Sequence, residues 1–387
     1  MILTNCRLIP ELCEGFQEEM ADIRIEGNAI AEILPAGGHY TGEEVIDCTG
    51  KTVLPGLFNV HAHLFFNGFG LSPQTEYQHV VNHMRYMNEL LAYGYTSIRD
   101  MGGPYGISIK FRDAINAGTM IGPDIKACNH ILTPTCVNTG LECYSNMYGM
   151  AINSPYEARA VARKQITEGA DFIKILGSSI VDTARRGNDS LFYPDEMEAI
   201  KEVVKYERSY LAIHAIDSES NSFALASDAR TIEHAFFWNQ ENTDKLIADG
   251  NKTALIPTLQ VWNQMWGYDK CKADTIGLRT AYDAGVLIGL GTDTPEPGFL
   301  AEPQSEFVLR TQVWGISAVE VFKQATINSA KINRTDDIRG SIKVGKRADF
   351  AIIDGKPDED LDLLGKPCAY VLKDGVVVAR NGFVKSI

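Results

Sequence analysis

A chain of 387 residues is too long for one small core, and a barrel of about 250 residues with a smaller domain beside it would account for this length. Its content of 45% hydrophobic and 22% charged residues is typical of a globular protein and excludes disorder as the default. The 36 Lys and Arg residues against 50 Asp and Glu residues give a net charge of −14, which disfavours nucleic acid and anionic membranes as partners.

Two further features bear on the compartment. No stretch of the sequence approaches the roughly 18 apolar residues that cross a bilayer, and polar residues interrupt the first seven positions too early for a secretory signal. The eight cysteines are scattered, with no Cys-x-x-Cys pair, which is typical of reduced thiols. By elimination, we expect a cytoplasmic protein.

Both ends of the chain predict short strands. Apolar and polar residues alternate between turns over residues 1–53, most clearly at 21–30, where a Gly-Asn pair predicts a hairpin. The same pattern returns at 348–354 and 369–379, the second around an Asp-Gly turn. We therefore expect residues 1–53 and 336–387 to meet in one composite β-sandwich domain.

The segment 54–335 alternates apolar, strand-like runs with helical patterns. Helices are predicted at 77–93, 155–169 and 194–210, and the last two have proline near the start and acidic residues early. Alternation of strand and helix favours parallel β units.

Six polar residues lie at or near the ends of apolar runs in this segment. They are His61, His63, Lys174, His214, His234 and Asp293. Side chains two apart in a strand share a face, so the first two histidines can share one metal ion. In an α/β barrel, the carboxyl ends of the strands gather the chemistry at one mouth. Histidines that merely satisfy their own polar contacts in the core or on the surface are the alternative.

The order His-x-His, Lys, His, His, Asp resembles the amidohydrolase superfamily, in its binuclear-metal branch with imidazolonepropionase-like and Xaa-Pro dipeptidase (prolidase)-like enzymes. Residues 94–103 resemble the second strand of this family, and residues 325–330 and 340–350 resemble its closing signature. The resemblance covers most of the chain. It implies an α/β fold, a (β/α)8 TIM barrel over residues 54–335 with a small β-sandwich formed by both termini, in a homo-oligomer that acts on a small molecule.

The resemblance also implies two divalent metal ions, with zinc as the default. His61 and His63 would bind one ion, His214 and His234 would bind the other, and a carboxylated Lys174 would bridge both.

Asp293 would ligate the first ion and pass a proton from the bridging water to the leaving amine. Taken without the resemblance, Asp293 remains open to a role as a helix cap. Lys174 likewise remains open to reaching solvent or pairing with Asp171.

Some candidate substrate contacts depart from the family pattern. Asn138 stands where dipeptidase-like members have a histidine, and His130, a few residues earlier, is a candidate to replace it. Asn59 stands where the family often has aspartate, which changes a partner of a metal ligand without removing the ligand. Arg185 and Arg186 are candidates to bind a substrate carboxylate, and a solvated loop pair is the alternative.

The expected function is metal-dependent hydrolysis of a carbon–nitrogen bond by a metal-bridging hydroxide, in a dipeptide (Xaa-Pro or Xaa-Lys/Arg) or an N-acyl amino acid. A cyclic amide hydrolase or a mononuclear deaminase is the second hypothesis. Deaminases of this superfamily carry Glu three residues after the fifth-strand histidine, where this chain has Asp217, and they lack the lysine. A non-catalytic scaffold is the third hypothesis, and the presence of all six ligands argues against it.

Overall fold

The computed structural model describes residues 1–64, 75–134, 149–178, 191–293 and 302–385. A search of these ranges finds no helix that is both long and apolar enough to span a membrane.

The strands, in chain order, are β1 (Ile2–Arg7), β2 (Met20–Glu26), β3 (Ala29–Pro35), β4 (Val45–Asp47), β5 (Lys51–Pro55), β6 (Leu57–Ala62), β7 (Tyr95–Asp100), β8 (Asp124–Ala127), β9 (Ile131–Pro134), β10 (Gly149–Ile152), β11 (Ile173–Leu176), β12 (Leu211–Ala215), β13 (Thr231–His234), β14 (Ala254–Ile256), β15 (Phe350–Asp354), β16 (Tyr370–Lys373), β17 (Val376–Arg380) and β18 (Phe383–Val384). The α-helices are α1 (Glu76–Ala92), α2 (Ile107–Asn116), α3 (Pro155–Thr167), α4 (Pro194–Tyr206), α5 (Ser218–Ala226), α6 (Gln240–Ala248), α7 (Leu259–Trp266), α8 (Tyr268–Asp283), α9 (Ser305–Trp314), α10 (Ala318–Lys323) and α11 (Ser329–Ile332).

Both ends of the chain contribute to one large sheet. Its strands run in the order β18-β17-β16-β15-β5-β1-β2-β3, with β4 beside β1. The predicted hairpin is confirmed, because β2 and β3 pair antiparallel on either side of the turn at residues 27–28. That this sheet forms a sandwich domain with the predicted bounds stays a prediction.

The two faces of the large sheet pack into different hydrophobic cores. In β5, Val53 packs with residues of the sheet itself, whereas the next residue, Leu54, joins the main core of the protein. Ile352 and Ile353 of β15 divide in the same way. Because successive side chains of a strand point to opposite faces, the sheet holds its own strands together and docks onto the rest of the chain.

The remaining strands are parallel and form two sheets, β6-β7-β8 and β10-β9-β11-β12-β13-β14. Residues 286–293 run between them. On one side Gly289 N donates to Leu255 O of β14 at 3.0 Å, and on the other Val60 N of β6 donates to Leu290 O at 2.8 Å. An α/β architecture with parallel strands is therefore confirmed.

The three predicted helices are present as α1, α3 and α4. Thr75 caps α1 by accepting from Gln78 N, and Ser154 caps α3 by accepting from Glu157 N. Pro155 and Pro194 are the first residues of α3 and α4, where a missing N–H costs no hydrogen bond.

Candidate metal centre

Three of the six predicted ligands converge at the end of β6. His61 is wholly buried within β6, and His63 follows directly after it. The Nε2 atoms of both histidines lie 3.3 Å from Oδ1 of Asp293, which ends the segment 286–293. The candidate ligand atoms of these three residues all lie within 4.8 Å of one another.

The ring orientation of these two histidines follows from the groups behind them. His61 Nδ1 lies 2.7 Å from Oε2 of Glu233, and His63 Nδ1 lies 2.9 Å from the carbonyl O of Gly102. A carboxylate and a carbonyl only accept hydrogen bonds, so each Nδ1 carries a proton, and in the neutral ring each Nε2 presents a lone pair. In this neutral form, the two histidines set their nitrogen lone pairs against one carboxylate oxygen.

Such an arrangement fits a cation. Within the described ranges, the buried His61 Nε2 has no hydrogen-bond partner. Lone pairs facing a carboxylate repel it unless a positive charge lies between them. Two imidazoles and a carboxylate are ligands that zinc and related divalent ions take in proteins. The site thus fits a divalent metal ion.

His214 and His234 bring two further imidazoles to the same place. His214 is the last residue but one of β12 and His234 ends β13; their ring centroids lie 4.5 Å apart, and the His234 ring lies 4.7 Å from that of His61. Burial, together with neighbouring His214, holds the pKa of His234 well below its usual range. The ring is therefore in the neutral form, which binds metal.

Residue His234 adopts a left-handed backbone conformation that assembles this part of the site. Its φ is +68°, which is uncommon for a residue with a side chain. Consecutive residues of a regular strand point to opposite faces, yet Glu233 contacts the ring of His61 while His234 also lies against it. The turn in the backbone thus directs two adjacent side chains towards one site.

Lys174 lies in β11, two positions before the register partner of His214. The side chain is buried, and this burial lowers the pKa of the amine to about 8, although the charges of Glu233 and Asp293 partly oppose the shift. Asp171 is paired elsewhere, with Arg112 Nη1 at 2.8 Å and Lys126 Nζ at 3.1 Å. A buried lysine whose neutral form is favoured thus lies on the strand next to the one that carries His214.

A buried ion pair behind His61 was not singled out from the sequence. Arg99 of β7 donates from Nη2 to Glu233 Oε1 at 2.8 Å and from Nε to Val60 O at 2.6 Å. Burial opposes ionisation of Glu233, but the charge of Arg99 and the bond from His61 lower its pKa to about 2. Glu233 directly precedes a predicted ligand, but regular strand alternation would place the two side chains on opposite faces, so the sequence pattern does not single it out.

Asn59 joins the two chain segments that carry His61, His63 and Asp293. Its Nδ2 donates to Thr292 Oγ1 at 2.7 Å, and its Oδ1 accepts from Thr292 N at 3.2 Å and from His61 N at 3.3 Å. The amide therefore couples β6 to the residue before Asp293, a link that needs both a donor and an acceptor.

Of the four candidate substrate-binding residues, only His130 is among the residues that the structure describes. The backbone N and O of His130 both bond the side chain of Gln165 in α3, so this residue is part of a turn held from outside the site. Asn138, Arg185 and Arg186 lie outside the described residues. Their predicted roles stay predictions.

Asp217, the position that bears on deaminase chemistry, caps a helix. Its Oδ1 accepts from Glu219 N at 3.1 Å and from Ser220 N at 2.8 Å, at the start of α5. Both contacts satisfy helix N–H groups that have no partner within the helix.

Comparisons with known proteins agree with the architecture. The model of the Amidohydrolase family matches residues 52–379. An ochratoxinase from Aspergillus niger is 24% identical over 374 aligned residues, covering 85% of this chain and 76% of the relative. An imidazolonepropionase from Fusobacterium nucleatum is 26% identical, covering 80% of this chain and 78% of the relative. The crystal structure of a Xaa-Pro dipeptidase with methionine bound in the active site superimposes with a TM-score of 0.84 at 26% identity, covering 97% of this chain and 98% of that one.

Proposed function

Because this chain belongs to the amidohydrolase family, whose members here are hydrolases of carbon–nitrogen bonds, we propose that it cleaves the amide bond of a dipeptide or an N-acyl amino acid. The chain is a hydrolase with a candidate metal centre. The observation that carries the proposal is the convergence of two imidazole lone pairs on the carboxylate of Asp293, 3.3 Å from each.

The proposed fold is a closed (β/α)8 barrel over residues 54–335, with a β-sandwich formed by residues 1–53 and 336–387. Closure is supported by the segment 286–293, which bonds β14 on one side and β6 on the other. The composite sandwich is supported by the antiparallel pairing of β5 with β15, which joins strands from the two ends of the chain.

The proposed centre holds two divalent cations, with zinc as the default. His61, His63 and Asp293 would hold the first, His214 and His234 would hold the second, and a carboxylated Lys174 would be a ligand of both. When bound, the cations would polarise the substrate carbonyl and make water more acidic.

The residues of the chain itself supply the proton transfers. The carboxylate of Asp293 would accept a proton from the attacking water and return it to the nitrogen of the leaving amine, which departs as a neutral molecule. Glu233 and the Gly102 carbonyl would keep the imidazoles of His61 and His63 in one tautomer throughout.

The choice of substrate class rests on the similar proteins. The Xaa-Pro dipeptidase structure covers nearly the whole chain, which favours a dipeptide with a free carboxylate. Arg185 and Arg186 are proposed to bind that carboxylate. A cyclic amide is the second candidate, favoured by the similarity to an imidazolonepropionase. Deamination is disfavoured because Asp217 is engaged as a helix cap and because Lys174 is present.

A substrate screen with metal analysis tests the proposal. The metal-loaded protein should hold about two ions per chain and hydrolyse members of a library of dipeptides and N-acyl amino acids, with cyclic amides and aminated heterocycles as comparison sets. Release of ammonia from the heterocycles, with one ion per chain, would support deamination instead. No turnover of any compound by the fully loaded protein would contradict the proposal.

Separate variants test the carboxylate contact. Arg185→Ala and Arg186→Ala should each raise KM for dipeptides with little change in kcat, since the contact is present in ground state and transition state alike. Arg163→Ala, at an exposed position of α3, is the matched control. An unchanged KM for every active peptide would contradict the role of both arginines.

A further inference from the structure

Three of the imidazoles at the metal centre are supported by different kinds of group. Behind His61 stands the carboxylate of Glu233, behind His63 a backbone carbonyl, and behind His234 the hydroxyl of Thr258, which lies 2.8 Å from its Nδ1. A hydrogen bond to an ionised acceptor is about twice as strong as one between neutral groups. Of these three supporting hydrogen bonds, the one that orients the ring of His61 is therefore the strongest.

The support behind His61 is itself buried and fully bonded. His61, Arg99, Thr231 and Glu233 are each 0% exposed. Thr231 Oγ1 donates to Glu233 Oε1 at 2.5 Å and accepts from Arg99 Nη1 at 3.0 Å. With these bonds and those from Arg99 and His61, both oxygens of Glu233 are occupied, so its carboxylate has one orientation. Arg99 also holds Val60 O, and thereby the backbone just before His61.

The two halves of the centre differ in how complete they are. In the first half, three ligand atoms already lie within 4.8 Å of one another. In the second half, the rings of His214 and His234 are adjacent, but the third proposed ligand, Lys174, can bind an ion only after its amine has been carboxylated. A site that is already assembled binds its ion without an ordering cost.

We propose that Arg99 and Glu233 are positioning residues that preassemble one half of the centre, so that the ion held by His61, His63 and Asp293 binds first and more tightly than the ion at His214 and His234. This inference rests on the proposed binuclear centre. It goes beyond the ligand set because it assigns an order of binding and names residues that never touch an ion.

Metal titration measures the order directly. Metal-free protein, prepared with a chelator, is titrated with Zn²⁺ in competition with a chromophoric chelator. We expect two steps of one ion each. Lys174→Ala should remove the weaker step and leave the tighter one, because the first half keeps three other ligands, whereas the second half keeps only two imidazoles.

Two conservative variants then separate the halves. In Glu233→Gln the amide places an N–H against either Arg99 or the Nδ1–H of His61, so the tighter step should weaken by about 10- to 100-fold while the weaker step is unchanged. In Thr258→Val the hydroxyl behind His234 is lost, so only the weaker step should change. Asp22→Asn, a wholly buried carboxylate of β2 that accepts from Asn5 N and Gly38 N, is the matched control and should alter neither step.

A readout other than affinity checks that the cause is ring orientation. In metal-free protein, the ¹⁵N and ¹H signals of the His61 Nδ1–H group should shift in Glu233→Gln and stay in place in Asp22→Asn. If Glu233→Gln does not fold, Thr231→Val removes one bond to the same carboxylate and should weaken the same step by a smaller factor.

The outcomes distinguish the inference from the function on which it rests. The positioning role would be contradicted if the two ions bound with equal affinity, or if Glu233→Gln changed neither binding step. Either result would leave the proposal of a binuclear hydrolase intact. One ion per chain in an active enzyme would contradict the binuclear centre and the order of binding together.

Discussion

At the scale of single residues, Lys174 is the residue on which the number of ions in the proposed centre, one or two, depends. It is a buried amine whose pKa is lowered to about 8, chiefly by burial. Lys174→Ala should reduce the metal content from about two ions to about one and lower kcat at least about 100-fold, because one of two cations contributes several kcal/mol to transition-state stabilisation. Metal analysis and steady-state kinetics measure both effects.

The control for this prediction is another lysine near the same strands. Lys126 is more exposed and bonds Asp171 rather than the metal centre, so Lys126→Ala should keep both ions and the rate. Full metal content and activity in Lys174→Ala would show that the lysine serves neither cation.

Ala235 follows His234 and carries backbone strain of its own. Its φ is +53°, in the left-handed region that disfavours a Cβ atom. Ala235→Gly should relieve about 1–2 kcal/mol of this strain and lose about 0.8 kcal/mol from a buried methyl group, so the free energy of unfolding, measured by denaturant titration, should rise by about 0.5 kcal/mol. Ala284→Gly, at an exposed position with φ −77°, should have the opposite sign. Equal destabilisation by both changes would show that φ at 235 stores no strain.

The candidate ligands that converge in the structure stand out at the residue scale, whereas the residues that support them do not. His61, His63 and Asp293 stand at the ends of apolar runs, which is a property of the local sequence. Glu233 does not stand out, because regular strand alternation places it on the face opposite His234. Only the left-handed φ of His234 brings both side chains together, and no periodicity in the sequence reports that angle.

At the scale of elements, the segment 286–293 packs so closely on β6 that one of its positions accepts only glycine. A Cβ added at Gly291 would lie 2.6 Å from the Cβ of His61 and 2.7 Å from a methyl of Ile256. Gly291→Ala should therefore move His61, lower the free energy of unfolding by about 1–3 kcal/mol and weaken binding of the first ion. Denaturant titration and the competition assay measure the two effects.

The control for this substitution is a glycine whose neighbouring side chain can change its rotamer. A Cβ at Gly122 would meet the end of the flexible Ile115 side chain at 2.4 Å, which can move to another rotamer. Gly122→Ala should leave metal affinity unchanged. If Gly291→Ala also binds metal as the unmodified chain does, the close approach to His61 is not needed to position that ligand.

Helices were predicted more closely than the segment that joins the parallel sheets. Helices α1, α3 and α4 begin within one residue of the predicted positions, because caps and proline mark a helix start locally. The apolar run at residues 286–293 predicts a strand. In the structure, its β-type pairing is limited to one isolated bridge between Ile288 and Leu255. The hydrogen bonds of this segment run to β6 and β14, which are distant in sequence, so the local pattern does not determine its pairing.

At the scale of the whole molecule, the two ends of the chain meet through both hydrogen bonds and charge. Strand β5 pairs with β15, and Arg7 of β1 forms a bidentate ion pair with Asp358 at 2.7 and 2.8 Å. Alternating patterns predicted strands at both ends, but the partner of each strand follows from tertiary packing. The bounds of a terminal domain therefore remain a prediction, although the strands that would compose it share one sheet.

The proposed cations would also connect the two parallel sheets. His61 and His63 belong to the end of β6, His214 and His234 to β12 and β13, and Asp293 to the segment between the sheets. Chelation should therefore lower Tm by on the order of 5 °C, since ions at 100 times Kd stabilise a protein by about 2.7 kcal/mol. The same treatment should speed amide hydrogen exchange in residues 286–293.

The β2–β3 hairpin lies in the terminal sheet, away from every proposed ligand, so its exchange should not change on chelation. In a chain carrying both His61→Ala and His234→Ala, the chelator should alter neither Tm nor exchange, because each half of the centre has lost a ligand. If chelation removes the ions from the unmodified protein while Tm and exchange in residues 286–293 stay constant, then the ions do not join the sheets, and close packing at Gly291 would hold them together alone.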